Sequence, residues 1–145
     1  MLFRSPEGDP AHREAMLHLA MLLSRQNRND EAIEVVRKLR EKSPGDVELM
    51  IFLAGQLEGA KRYDEALAVA TEATEKAPEN PAAWFSVGVV QDKRGKLEQV
   101  IAAMEKVIAL DPKHATALNY LGYTFADRNI RLPEAEKLKI GRAHV

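Results

Sequence analysis

The residues able to do chemistry are scattered. His12 and His18 lie six positions apart, which places them on different faces of a helix and not at the i, i+4 spacing that binds a metal. His114 and His144 stand far from both and from each other. Ser24, Ser43 and Ser86 lack the glycine frame that exposes a serine nucleophile, and no glycine-rich phosphate loop accompanies them. With no cysteine, thiolate catalysis, Cys-based zinc sites and disulfide frameworks are all excluded. The acids follow solvated faces and first turns, with no convergence for paired-carboxylate catalysis. The chain therefore reads as a non-enzyme, with no catalytic residue, cofactor site or metal site assigned.

Arg37, Lys38, Arg40 and Lys42 form the densest basic cluster. They are interleaved with Leu39 and Glu41 and lack aromatic neighbours on which bases would stack, so a solvated helix face with cations near its C-terminus is the better reading. Twenty-one Lys+Arg against 22 Asp+Glu produce no overall field for nucleic acid or an anionic membrane. No segment approaches the roughly 18 apolar residues of a membrane span, and the opening MLFRSPEGDP lacks a signal peptide's apolar run. Absence of cysteine suits either side of a membrane, so the compartment stays open: the chain reads as soluble, its localisation unassigned.

The elements carrying these residues repeat. Pro44, Pro78 and Pro112 are each 34 residues apart, and Pro10 falls on the same grid. Small residues recur at the same interval, as Ala20, Ala54, Gly88 and Gly122, and again as Ala32 and Ala66. Between them, apolar residues step by three and four, the period of amphipathic helices. The leading helix of the first unit is expected to bury Ala15, Met16, Leu19, Leu22 and Leu23 in one stripe, with Asp9-Pro10 as a cap and first-turn pair that starts it early. Asn27 to Asn29 supply a turn, and a return helix from Asp30 buries Ala32, Ile33, Val36 and Leu39. In the second unit Asp46 caps a helix facing the core through Met50, Leu53, Ala54 and Leu57, and Tyr63-Asp64-Glu65-Ala66 opens its partner. The third starts with Asn80 as cap and Pro81 in the first turn, and Gly95 marks its hairpin. Val100, Met104 and Val107 continue the core. In the fourth, Leu118, Leu121, Gly122 and Phe125 share a face.

A helical period of 34 residues, the Trp84, Val87, Gly88 match to W-x2-L-G, and the Tyr63 to Ala66 segment together resemble tetratricopeptide repeats, particularly bacterial ones. Val100 departs from the usual alanine. The resemblance implies an all-α solenoid, a right-handed superhelix of antiparallel helix pairs with about four repeats, the last incomplete. Its divisions are 13–46, 47–80, 81–114 and 115–139, after a lead or repeat remnant at 1–12. In the fourth, Ala135 falls one residue later than the template and Pro133 is expected to open the return helix, which would need about a dozen residues. Residues 140–145, IGRAHV, match a translated sequencing adapter, since ATC GGA AGA GCA CAC GTC encodes them, and are expected to be an artefactual tail.

The resemblance also implies a function. First helices line a concave groove, with groove residues at Leu17 and Met21, Ile51 and Gly55, Phe85 and Val89, and Asn119 and Tyr123. His18, Arg25, Phe52, Glu58, Lys93 and Tyr120 flank them. An apolar strip with a polar rim suits a docked peptide or amphipathic helix, making the chain a protein-interaction scaffold. The family's carboxylate-clamp subclass uses lysine, asparagine and arginine in the groove to hold a chaperone's acidic C-terminus. Leu17, Met21 and Phe52 disfavour it here. The alternative is a targeting or regulatory arm of a larger enzyme whose catalytic domain lies elsewhere. Weak self-association through exposed terminal repeats is a further expectation. The family pattern also fixes one packing prediction: Ala66→Leu should overpack its helix crossing and cost about 1–3 kcal/mol, read as a lowered thermal midpoint.

Overall fold

The computed structural model describes residues 9–127. Residues 1–8 of the lead expected at 1–12, the expected return helix around Pro133 and Ala135, and the tail at 140–145 lie outside the described residues, and residues 10–12 of that lead belong to the first helix. Within them, the chain forms seven α-helices: α1 (Pro10–Arg25), α2 (Asn29–Lys42), α3 (Val47–Gly59), α4 (Tyr63–Lys76), α5 (Pro81–Lys93), α6 (Leu97–Leu110) and α7 (Ala115–Asp127). No strand occurs among the described residues. The chain divides into two compact units between Lys76 and Ala77. α1 to α4 make the first and α5 to α7 the described part of the second.

The starts of α1, α3 and α5 have a local cause. Asp9 caps α1 by accepting from the Ala11 amide at 2.9 Å, with Pro10 in the first turn. Asp46 accepts from the Leu49 amide at 3.2 Å, and Asn80 accepts from the Ala82 amide at 2.9 Å ahead of Pro81. These side chains satisfy amides that lack an intrahelical partner, and proline loses nothing at that position. The connections before α3, α5 and α7 are equivalent turns. The amide of Asp46, Asn80 or His114 donates to the carbonyl three residues back at 3.0 Å, across Pro44, Pro78 or Pro112.

The hairpins inside each pair are equally regular. Asn27, Lys61 and Gly95 have φ of 61°, 63° and 73°, left-handed backbone at one repeat position. The following amides, of Arg28, Arg62 and Lys96, return to the carbonyls of Leu23, Leu57 and Gln91 at 2.8, 2.8 and 2.9 Å. The left-handed residues themselves donate to the carbonyls of Ser24, Glu58 and Asp92. This double bond pattern closes a helix C-terminus in the Schellman manner and reverses the chain. Glycine meets that φ without steric cost; asparagine and lysine do not.

In the first unit α1 packs on α2, α2 on α3 and α3 on α4. Ala20, Ala32, Ala54 and Ala66 are all fully buried, as the pattern of small residues anticipates, together with Ile33, Val36, Met50 and Leu53. α1 departs from its expected stripe. Ala20 and Leu23 are buried, but Leu19 is 39% and Leu22 53% exposed. The reason is geometric: α2 covers the Ala20 and Leu23 side of α1, and Leu19 and Leu22 lie off that side. Ala15, Met16 and Leu39 are half-buried instead of buried.

Ion pairs tie the outer helices of the first unit. Arg37 meets Glu65 at 3.3 Å, Arg40 meets Glu72, and Arg62 reaches Asp30 at 3.2 Å while also bonding Glu65. The Arg62 hydrogen bond, foremost, holds the Glu65 carboxyl below its ordinary value. That contribution is present above the unfolded carboxylate range and is lost as pH falls through the folded value. Exposed pairs of this kind contribute little singly, and matter here by aligning helices.

In the second unit α5 packs on α6 and α6 on α7, around Val100, Ile101, Met104, Val107, Leu121 and Phe125. A Cβ on Gly88 would lie 2.5 Å from Met104 Cε and 3.3 Å from Ala103 Cβ, so glycine permits the closest approach of α5 to α6. Trp84 donates to the Pro78 carbonyl at 2.8 Å, and the Lys106 ammonium lies 5.6 Å from its ring centroid. The hairpin geometry carries a paired prediction. Gly95→Ala should lose about 1 kcal/mol of stability, whereas Lys61→Gly should gain about 0.5–1 kcal/mol, both read from thermal melts.

Candidate partner-binding surface

The expected groove residues fall in both units. In the first, α1 carries Leu17, His18, Met21 and Arg25, and α3 carries Ile51 and Phe52. Leu17, Ile51 and Phe52 are half-buried, His18 and Arg25 are exposed, and Met21 is 40% exposed. The flanking Gly55 is exposed and Glu58 half-buried on α3. Four-residue steps along α1 lead from Leu17 through Met21 to Arg25. Leu17, Met21, Ile51 and Phe52 are the apolar members of this set, and Arg25 its cation.

In the second unit the contacts are explicit. α5 supplies Phe85 and Val89, and α7 supplies Asn119, Tyr120 and Tyr123. The Phe85 ring stacks on His114, with centroids 5.4 Å apart and planes inclined by 28°. It meets Tyr120 edge-on, 6.3 Å away at 86°. The Tyr120 hydroxyl donates to the Asp92 carboxylate near the end of α5. His114 also accepts from the Ala117 amide through Nδ1 at 3.1 Å, so the same imidazole caps α7 and supports Phe85. Val89 packs on the core cluster, Asn119 is half-buried, and Tyr123 is 53% exposed. Lys93 is exposed beside Asp92.

Phe85, Val89 and Tyr120 are thus brought together, with Tyr123 one helical turn beyond Tyr120's neighbour Asn119. Sequence reasoning omits two participants, Asp92 and His114. A signal for Asp92 exists: it lies one 34-residue period after Glu58, which the groove pattern already marks. His114 occupies the cap position held by Asp46 and Asn80, but histidine is an uncommon cap and its ring contact is not encoded by spacing.

Two concavities lie elsewhere in the first unit. One, of about 630 Å³, sits beside the start of α1 and is floored by Met16, Val35, Leu39 and Leu49, with Arg13, Lys38 and Lys42 at its rim. The other, of about 450 Å³, has Leu53, Leu57 and Val69 between Arg37, Arg40 and Glu65. Among the described residues no group of three or more His, Asp or Glu side chains is arranged to hold a metal ion, and no helix is long and apolar enough to cross a membrane.

Residues 13–57 and 57–121 match two family models, each described as tetratricopeptide repeat. The chain belongs to this family, with an all-α tetratricopeptide fold. A TPR repeat-containing protein of Pseudomonas aeruginosa is 43% identical over 60 residues, covering 41% of this chain and 10% of that protein. The matching stretch is thus about a tenth of that bacterial relative's length. Among solved structures, MamA is similar with a TM-score of 0.73 at 20% identity, covering 96% of this chain and 85% of that one. MamA 41-end from Desulfovibrio magneticus has a TM-score of 0.73 at 24% identity, over 90% and 76% of the two chains. The first TPR of Spaghetti (RPAP3), bound to the HSP90 peptide SRMEEVD, has a TM-score of 0.71 at 21% identity, over 83% and 96%. At these identities the likeness is one of fold. Tetratricopeptide proteins generally serve as non-enzymatic scaffolds for protein–protein interaction.

Phe85 has an internal packing role alongside any external one. Phe85→Ala should therefore lower stability by about 1.5–3 kcal/mol, while Tyr120→Phe, which removes the hydroxyl that bonds Asp92, should cost about 0.5–1.5 kcal/mol. Chemical denaturation of the two variants checks both values.

Proposed function

We propose that the chain is a protein-interaction scaffold whose α5–α7 surface receives an apolar side chain of a peptide or helical segment, with Phe85, Val89 and Tyr123 as the contact and Asn119 as a polar anchor. The observation that carries this reading is the aromatic arrangement itself. Phe85 and Tyr120 are held rigid by His114 and Asp92, which lowers the entropy lost when a ligand docks, and Tyr123 projects beside them with half its surface in solvent. Tyrosine and phenylalanine held this way are typical anchors of interfaces.

The corresponding α1 and α3 residues, Leu17, Met21, Ile51 and Phe52, supply a second apolar patch of the same kind, with His18 and Arg25 at its edge. The Spaghetti domain's peptide ends in Glu-Val-Asp. An acidic terminus of that type needs cationic and amide donors, and Leu17, Met21 and Phe52 offer none, so the preferred peptide is apolar.

Selection of a displayed heptapeptide library on the full chain tests the reading. Enriched sequences should carry aliphatic or aromatic residues, and Tyr123→Ala should weaken a selected peptide at least about tenfold with the fold intact. Phe85→Leu, which keeps apolar bulk, separates contact from packing. Acid-terminated winners, or affinities unchanged in both variants, would overturn the assignment.

A further inference from the structure

The aromatic surface of α5 and α7 ends in a charge. Phe85, Val89 and Asp92 stand at i, i+4 and i+7 on α5 and share one face of that helix. Tyr120 of α7 spans this face. Its ring meets Phe85 edge-on with centroids 6.3 Å apart, and its hydroxyl donates to Oδ2 of Asp92. One side chain thus joins the apolar end of the patch to its acidic end.

The acid lacks a cation. Glu65 and Glu72, which also reach a neighbouring helix, are each met by an arginine. Asp92 meets a tyrosine instead; it is exposed and forms no ion pair with a described residue. The hydroxyl occupies one acceptor position, and a carboxylate has about four. Lys93 stands about 100° further around the helix, and Arg94 donates to Gln91 Oε1 at 2.9 Å. The rings of Phe85, Tyr120 and Tyr123 add negative faces beside this carboxylate, and such faces attract cations. A guanidinium suits both features, because it is planar enough to lie on a ring while its N–H fork donates to a carboxylate.

Helix geometry sets the spacing. Seven residues at about 1.5 Å each put Asp92 roughly 10 Å along α5 from Phe85. An extended peptide covers that distance in about three residues.

We propose that Asp92 determines specificity at the α5–α7 surface by taking the guanidinium of a ligand arginine three residues from the apolar side chain seated at Phe85 and Tyr123. The inference rests on the reading that this surface is the peptide contact, and adds the charge that the peptide must carry. The α1–α3 pair has no equivalent, since Ser24 and Phe52 hold the places of Asp92 and Tyr120 two periods earlier. Arginine selection therefore belongs to the second unit alone.

Parallel selections of a displayed heptapeptide library on the full chain and on its Asp92→Asn variant test the assignment. Asparagine keeps a carbonyl able to accept from Tyr120 and removes the charge, and circular dichroism checks that helicity is retained. Winners on the native chain should pair an aliphatic or aromatic residue with arginine three places away, and the arginine should be lost on the variant. Replacing that arginine by citrulline, which has the same shape without the charge, should weaken a selected peptide about three- to tenfold on the native chain and leave the two peptides equal on Asp92→Asn. On the native chain alone, raising salt from about 50 to about 500 mM should narrow the gap between the two peptides, and a gap indifferent to salt overturns the assignment even where the variant folds poorly. Apolar winners without arginine at that spacing, or arginine fully retained on Asp92→Asn, overturn the inference and leave the aromatic reading standing. Acid-terminated winners, or no enrichment of apolar residues, overturn the aromatic reading and this inference with it.

Discussion

Close approach of paired helices at one small residue is the constraint from which the other features follow. Ala20, Ala54 and Gly88 occupy that position, and each is sealed from solvent. A larger side chain there would push the partner helix outward, and at Gly88 even one carbon would displace Met104. Once the backbones are close, the flanking leucines, isoleucines and valines can interlock, and the hairpin must turn within three residues. The left-handed residue that closes each hairpin is thus a consequence of how near the helices lie.

The same spacing sets which side chains of neighbouring first helices meet. On α5 and α7 it brings an aromatic pair within ring contact and lets two polar residues, His114 and Asp92, hold them. The likeness to solved structures at 20–24% identity is accordingly one of fold.

Much of this was legible in the sequence because the period is strict. Caps at Asp9, Asp46 and Asn80, the turn at Gly95 and the burial of Ala66 all follow from local chemistry repeated on one ruler. Reading failed where local chemistry does not decide. Leu19 and Leu22 belong to an apolar stripe by spacing, yet exposure depends on which side of a helix a neighbour covers. The left-handed Asn27 and Lys61 carry no glycine signal, and only comparison with Gly95 marks them. The stacking of Phe85 on His114 was not legible, because a ring contact across helices depends on side-chain direction as well as position.

The helix neighbours also determine how the chain reaches this arrangement. The main packed pairs, α1 with α2, α2 with α3 and α3 with α4 in the first unit and α5 with α6 and α6 with α7 in the second, join elements adjacent in sequence. Closing such short loops costs little entropy, so within each unit structure can begin in one hairpin and spread to its neighbouring helix without waiting for a distant segment. The folding barrier is correspondingly spread along the chain, and a hairpin damaged by substitution slows its own closure more than that of its neighbours.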